Sequence, residues 1–337
     1  MYVLIQMTES FERLKQKYLY PAREKPKKKE KQPRKKIKSE HQIYDPAEII
    51  PTKDIQPSQP KKINDYRFGS HISIQKGYTS AAEYAKKSGF NCFQIFTQSP
   101  RSTKFRPFDD EEGTRCKQYI KENDLEMWIH CSHAINYCRK CCPSTQYLRD
   151  SVVEDMRRAI KMGAKGCVIN VGKLNSKEGI ISKTGSMYNF KHNIEKTIET
   201  LIDEGAGQLP WLLIQTASGQ GTETPVSIEG LSELYFSINE AYRKYIGFCV
   251  DTCHIFASGE CNIKNTDDTD AFINRWNEHT GGDPAKPIPH NDSKSELGSG
   301  EGGGGCVPIG KGMIGTRALT YFRDFCILTG KSMVTEW

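Results

Sequence analysis

The stretch YLRDSVVEDMRRAIKMGAKGCVINVG, residues 147–172, joins two elements of different periodicity and decides the fold class. In residues 147–163 apolar side chains recur at spacings of three and four, which predicts a helix with one buried face. The following GCVINVG is a short apolar run with β-branched residues, which predicts a buried strand. Helices that alternate with such strands are typical of βα units around a parallel sheet.

The same alternation extends in both directions from this unit. Further helical patterns cover residues 80–89, 193–205 and 228–245. Candidate strands number eight and cover residues 66–73, 92–98, 126–132, 166–172, 211–217, 246–254, 286–292 and 332–337. Residues 64–337 form a body whose length is close to the ~250 residues typical of a (β/α)8 TIM barrel. We therefore predict that barrel without the closing C-terminal helix, because the sequence stops just after the last strand.

The region before the body has a different character. Residues 1–20 contain a possible short amphipathic helix, and residues 21–63 are predicted to be a basic disordered tail. Within the tail, Arg23–Lys38 carries ten Lys or Arg against two Glu, so its charge of +8 exceeds the whole-chain +7. The tail is either a solubilising segment or an arm for nucleic-acid binding or nuclear localisation.

Several classes of protein are disfavoured by composition. The opening MYVLIQM is too short for a signal peptide, and no run approaches the ~20 apolar residues of a membrane span. Twelve cysteines in 337 residues are too dilute for a disulfide scaffold. No glycine-rich phosphate motif follows the first strand, which argues against a dinucleotide-binding fold. The prediction is an intracellular protein with reduced thiols that is not secreted.

Polar side chains follow the predicted strands, at the end of a barrel where active sites are built. They are His71, Arg101, His130, His133, Asn170, Gln215, Asp251, His254, His290, Asp292 and Glu336. Imidazoles and carboxylates that converge from several strands are the donors of a zinc or manganese site. The strongest local pattern is DTCH, in which Asp251 and His254 can turn toward one pocket.

Seven motifs resemble, in order, those of the endonuclease IV family of abasic-site endonucleases. They are FGSHIS, FQIFTQSPR, IHCSHAIN, TASGQG, CVDTCHIFASG, NDSKSELGS and IGKGMIG, and they span nearly the whole body. The resemblance implies a (β/α)8 barrel with three zinc ions. It also implies hydrolysis of double-stranded DNA on the 5′ side of an abasic site by a protein that we expect to be monomeric.

Four of the nine zinc positions implied by the resemblance carry the expected ligand: His130, Asp251, His254 and Glu336. Asn170 stands where the family has His, and Gln215 stands where a Glu bridges two zincs. Pro289 takes another ligand position, so that His290 lies one residue late, where a strand side chain points to the opposite face.

Glycines replace the Asp-Arg-His triplet that supplies the last two ligands. Glu301 and Cys306, on either side of those glycines, are possible displaced replacements. We expect fewer than three zinc ions, held by His130, Asp251, His254 and Glu336 with His290 as a further candidate. The predicted catalytic residues are Gln215, Asp251 and Glu336.

DNA recognition depends less on the metal than hydrolysis does. The resemblance places Arg101 in a loop that enters the minor groove, and it places His133 where the family has an inserting Tyr. Three functions stay open: a metal-dependent abasic-site endonuclease, a barrel that binds damaged DNA with little hydrolysis, and a sugar isomerase on the same fold. The first two predict a nuclear location or a site of DNA replication.

Overall fold

The computed structural model describes residues 66–175, 179, 182–281, 288–300 and 305–336. Within them the predicted TIM barrel is confirmed. Its strands are β1 Arg67–His71, β2 Cys92–Ile95, β3 Glu126–His130, β4 Gly166–Asn170, β5 Trp211–Gln215, β6 Ile246–Cys249, β7 Ile288–Pro289 and β8 Ser332–Thr335. The predicted N-terminal helix, the basic tail and Glu301 lie outside the described residues.

The eight strands form one parallel sheet in the order β6-β5-β4-β3-β2-β1-β8-β7. In the described residues, no backbone pairing joins β6 to β7. A side chain bridges this seam instead, because the Thr252 hydroxyl accepts the Asn291 N–H at 2.9 Å and donates to the Asn291 carbonyl at 2.8 Å. The seam therefore closes directly beside the DTCH motif.

The predicted patterns correspond to five of the α-helices, and in the described residues nine α-helices surround the sheet. They are α1 Tyr78–Lys87, α2 Asp110–Glu122, α3 Gln146–Met162, α4 Lys183–Asp203, α5 Ile228–Ser237, α6 Glu240–Arg243, α7 Thr252–Ala257, α8 Thr266–Thr280 and α9 Thr316–Thr329. The pattern at 228–245 forms two helices, because the Asn239 side chain accepts the Ala241 N–H and starts a new one. None of the described helices has the length and apolarity needed to cross a bilayer.

Side chains from six strands fill the barrel interior: Cys92, Trp128, Val168, Leu213, Cys249 and Val334. Large and small residues alternate around this layer. At Gly166 an added Cβ would lie 2.9 Å from the Trp128 ring, so glycine provides the space that the indole occupies. Residues between these positions, such as Met127 and Ile129, face the helices and form the larger outer core.

Candidate metal and nucleic-acid site

A layer of polar side chains lies directly above the interior core, for a simple geometric reason. Strand side chains alternate between faces, so the residue two positions after an inward-facing one also faces inward. Moving two residues on from the six core positions gives Gln94, His130, Asn170, Gln215, Asp251 and Glu336. All but Asp251 line a cleft of about 680 Å³ at the carboxyl ends of the strands.

Gln215 ties two of these residues together with its neutral amide. Its Oε1 lies 3.0 Å from His130 Nε2, and its Nε2 donates to Asp251 Oδ2 at 3.2 Å. The other ring nitrogen of His130 lies 2.6 Å from the Cys131 carbonyl. All three side chains are buried. Hydrogen bonds thus link His130 to Asp251, at the place where the family resemblance implies a metal-bridging carboxylate.

Asp251 is fixed by the helix that follows it. As the N-cap of α7, its Oδ1 accepts the N–H groups of Cys253 at 2.8 Å and His254 at 3.4 Å, so only Oδ2 faces the site. The His254 ring is oriented by its Nδ1, which lies 2.7 Å from the Thr216 carbonyl. Its Nε2 lies 3.7 Å from Asp251 Oδ2. Burial lowers the pKa of His254, but the Asp251 carboxylate, the Cys253 thiol and the Thr216 carbonyl, with Glu336, together outweigh burial, and the net pKa is raised.

Cys306 joins these two residues from a distant part of the chain. It lies in the short antiparallel pair of Asp292–Ser293 with Cys306–Val307. One ligand atom each from Asp251, His254 and Cys306 lies within 4.8 Å of the others, and we call these three residues the metal triad. A hydrogen bond with the Cys253 thiol, together with burial, raises the pKa of the Cys306 thiol well above its ordinary value.

The metal triad fits a zinc ion by its chemistry. Carboxylate oxygen, imidazole nitrogen and thiolate sulfur are all zinc donors, and three protein ligands are the usual number at a catalytic site. The hydrogen bond from His254 to a backbone carbonyl is the outer contact that typically orients a zinc-bound histidine. The donor set therefore suits one zinc ion.

Glu336 lies at the edge of the same layer. Its Oε1 accepts a hydrogen bond from Gln94 Nε2, and its backbone N–H donates to Asn291 Oδ1 at 2.8 Å. Burial raises the pKa of Glu336. Gln94 Nε2 also lies 3.2 Å from His71 Nδ1. Burial, and after it the charge of the neighbouring His130, lowers the pKa of His71 to about 3.

His133 lines the cleft, and its loop is joined to the loop that carries Arg101. The His133 N–H donates to the Pro100 carbonyl at 2.8 Å, which ties its loop to the one that carries Arg101. Both residues are exposed. The His133 ring packs against Phe96 and His130 with ring centres 5.3 and 4.9 Å apart. The two residues predicted to contact DNA thus lie on adjoining loops.

The structure does not bring His290 to the metal triad. Pro289 pairs in register with Val334, whose side chain faces the barrel interior, so His290 faces the opposite side. There its ring stacks on Phe322 with centroids 6.3 Å apart, and burial lowers its pKa to about 4. The neighbouring Asp292 carboxylate accepts backbone N–H groups from the loop at residues 310–315. Both residues stabilise the outer structure.

Most of the remaining predicted residues do converge. His71, His130, Asn170, Gln215, His254 and Glu336 line the cleft, and Asp251 lies at its base. From the sequence, Cys306 was only a possible replacement for a missing zinc ligand. A run of glycines has no periodicity, so it does not predict the direction in which the Cys306 side chain points. Gln94 was missed, although the two-residue step from a buried strand position identifies it.

Comparisons with known proteins agree with the fold and the motifs. A sequence model of the xylose isomerase-like TIM barrel family matches residues 82–322. The chain is 30% identical to a putative endonuclease 4 of Acanthamoeba polyphaga mimivirus over 68% of this chain and 73% of that protein. It is also 30% identical to a probable endonuclease 4 of Symbiobacterium thermophilum, over 80% and 92% respectively.

Solved structures extend the similarity of fold. Endonuclease IV from Thermus thermophilus superposes with a TM-score of 0.66 at 24% identity, covering 80% of this chain and 92% of that chain. A D-tagatose 3-epimerase-like protein superposes at 0.58 with 13% identity, covering 80% and 90%. The barrel is therefore shared by nucleases and sugar-converting proteins, and the fold alone does not choose between them.

Proposed function

The chain belongs to the endonuclease IV family of xylose isomerase-like TIM barrels, and from this premise we propose that it is a zinc-dependent abasic-site endonuclease with a reduced metal centre. Its substrate is double-stranded DNA with an abasic site, and its reaction is hydrolysis of the phosphodiester on the 5′ side. Curated relatives that carry the name endonuclease 4 support the nuclease class.

The observation that carries the metal part of this proposal is the convergence of Asp251, His254 and Cys306 within 4.8 Å. A zinc ion held there would lower the pKa of a water molecule and offset charge on the phosphate. The chain's own residues prepare that site: α7 holds Asp251, and the Thr216 carbonyl orients His254. The thiol of Cys306 must lose its proton to bind metal.

The proposed stoichiometry is one zinc ion in place of the family's three. Gln215 supplies no charge, and its amide is already bonded to His130 and Asp251. Without a bridging carboxylate, the mutual repulsion of several cations is poorly offset. His130 and Glu336 are the next donors available in the layer, and we propose that one of them joins the metal triad while a position on the zinc ion stays open for water. His290 is left out because it faces the other side of β7.

We propose that DNA is recognised by Arg101 and His133 at the rim and by the basic tail. Arg101 would enter the minor groove, while the flat His133 ring would stack at the position of the missing base. Outside Arg23–Lys38 the chain sums to −1, so the tail would supply most of the phosphate contacts. Deleting residues 1–63 should weaken duplex binding and flatten its salt dependence, and an unchanged salt slope would argue against this role.

The organisation and location of the protein are proposed from the same features. We propose that residues 64–337 fold as one monomeric unit and that the tail directs the protein to the nucleus or to a site of DNA replication. Sedimentation of the body without residues 1–63 tests the first part. Location of a fluorescent fusion with and without Arg23–Lys38 tests the second.

A second function is favoured by the Gln215 contacts. If the hydrogen bonds of Gln215 to His130 and Asp251 take the place of metal coordination by these residues, the barrel binds abasic DNA but hydrolyses it only slowly. The same cleft and rim would serve both functions, so only chemistry separates them.

Cleavage of a duplex with a single abasic site distinguishes the two. The full-length protein is assayed after chelation and again after return of zinc, and the new strand ends are identified. Zinc-dependent nicking that leaves a 3′-hydroxyl, with about one zinc per chain, is the expected result. Asp251→Ala should lose both zinc and nicking, while the exposed Asp203→Asn is the matched control. Tight binding without nicking supports the second function, and no binding to abasic duplex contradicts both.

A further inference from the structure

Lys173 lies at the rim of the cleft on a short, well-anchored ribbon. Gly172–Lys173 pairs antiparallel with Glu223–Thr224. The Lys173 N–H donates to Asn136 Oδ1 at 3.0 Å, and its carbonyl accepts from Asn136 Nδ2 at 3.0 Å. The backbone of Lys173 is therefore fixed on both sides, and its side chain starts from a defined point.

The ammonium group of Lys173 is paired with a carboxylate that also lines the cleft. Lys173 Nζ lies 3.6 Å from Glu223 Oε1 and 3.3 Å from Gln220 Oε1. Glu223 is held in turn by the Ser218 hydroxyl at 3.2 Å and the Gln220 N–H at 2.9 Å. Its side chain is 15% exposed, whereas that of Lys173 is 48% exposed. The carboxylate is thus fixed and the amine is accessible.

Lys173 is the one Lys or Arg among the described residues that line this cleft. The same space holds Gln215 and two members of the metal triad, His254 and Cys306. An abasic sugar brought to the proposed metal centre would therefore share the cleft with this amine. A ring-opened abasic sugar has an aldehyde at C1′, and a lysine amine is the protein nucleophile that forms imines with carbonyl carbons.

We propose that Lys173 is the nucleophile of a second, metal-independent activity, an abasic-site lyase that breaks the strand on the 3′ side of the lesion. The inference rests on the proposed function, because it takes the same substrate into the same cleft. It adds a different reaction, in which a carbon–oxygen bond is broken by elimination and no phosphodiester is hydrolysed.

The reaction balances without an oxidant or a reductant. Glu223 takes a proton from the Lys173 ammonium, and the free amine adds to C1′ of the aldehyde. Glu223 returns its proton to the oxygen of the former carbonyl, which leaves as water, and a protonated imine remains. The Glu223 carboxylate then takes a proton from C2′, and the electron pair of that C–H bond expels O3′ by breaking the C3′–O3′ bond, which releases the downstream strand with a 5′-phosphate. Water hydrolyses the unsaturated imine and restores Lys173.

The contacts on the ribbon suit these steps. Glu223 Oε1 lies close enough to exchange a proton with Lys173 after a small side-chain movement. The exposed half of the lysine gives water access to the imine for release.

The test uses full-length protein, a metal chelator and a duplex with one natural abasic site. A mild borohydride reduces any imine to a stable covalent adduct, which is then digested and mapped by mass spectrometry. An adduct on Lys173 is expected, and a duplex with the tetrahydrofuran analogue, which has no aldehyde, should give none. Mapping is essential because lysines in the basic tail can also react. An adduct confined to tail lysines, or no adduct, would overturn the proposal.

Two variants test whether Lys173 is the nucleophile. Lys173→Arg keeps the charge but cannot form the imine, so trapping at the cleft should fall to background. Lys117→Arg, on the outer helix α2, is the matched control and should trap as the parent does. Equal trapping at the cleft by Lys173→Arg would sink the assignment.

Binding to the tetrahydrofuran duplex separates this inference from the proposed function. If the parent protein binds that duplex and nicks abasic DNA with zinc but gives no Lys173 adduct, only the lyase is wrong. If it binds no abasic duplex at all, the proposed function itself fails.

Discussion

Replacement of Asp155 by asparagine should change how the stability of the barrel depends on pH. Asp155 is a buried carboxylate on α3 whose Oδ1 accepts hydrogen bonds from the Thr97 hydroxyl and from Gln98 Nε2. Its Oδ2 has no hydrogen-bond partner among the described residues. Burial raises the pKa of Asp155 to about 6 from an ordinary 3.8, although hydrogen bonds from Thr97 and Gln98 oppose the shift.

The sign follows from comparing the folded and unfolded chains. Below pH 3.8 Asp155 is protonated in both states and contributes no pH-dependent term. Between about pH 4 and pH 6 the unfolded chain loses the proton while the folded chain keeps it, so stability falls as the pH rises. Above pH 6 both are ionised, and the accumulated loss is about 3 kcal/mol for a shift of about two pH units.

Asparagine removes this loss because it is neutral at every pH and keeps an oxygen that can accept the same two hydrogen bonds. The free energy of unfolding is measured by urea denaturation from pH 4 to pH 7.5 for the parent, Asp155→Asn and the exposed control Asp203→Asn. Asp155→Asn should gain about 3 kcal/mol relative to the parent across that range. The reasoning is refuted if the two profiles run parallel, or if the parent gains on the variant as the pH rises.

Three other substitutions test the site and the core. Gln215→Glu would put a carboxylate oxygen about 3.2 Å from Asp251, so the free energy of unfolding of the metal-free protein should fall by up to about 5 kcal/mol. The number of zinc ions bound per chain should rise, and an unchanged zinc content would contradict the role assigned to the Gln215 amide. Cys306→Ser should weaken zinc affinity by about ten-fold or more in competition with a chromophoric chelator. Zinc binding by the parent should also weaken as the pH falls, because the raised pKa of the Cys306 thiol makes metal compete with a proton. Trp128→Ala should cost about 3–5 kcal/mol in urea denaturation through the cavity left in the barrel interior, against less than about 1 kcal/mol for the exposed Tyr188→Ala.

The positions of the strands could be predicted because each buried strand is a short apolar run with a helix pattern after it. The step of two residues then places His130, Gln215, Asp251 and Glu336 in one layer without further information. The pattern at 228–245 was less informative, since a capping Asn239 inside an apolar spacing breaks the helix without changing its periodicity.

The direction of His290 was also implicit in the sequence, because it lies one residue beyond the expected ligand position. Strand alternation turns it away from the interior, and the register of Pro289 with Val334 shows that it does so. The imidazole of His290 suggested a metal ligand. Its position after the strand instead turns it toward Phe322, on the side away from the metal triad.

The sequence by itself determined the barrel, the family and the layer of polar residues, because these follow from periodicity and from ordered motifs. Tertiary structure alone decided which groups meet. Cys306 lies near His254 because its short strand pairs with Asp292–Ser293. Lys173 lies near Glu223 because two short strands 50 residues apart in the chain pair with each other. Such contacts depend on how loops close in space, and glycine-rich or irregular segments carry no repeating pattern from which their path can be predicted.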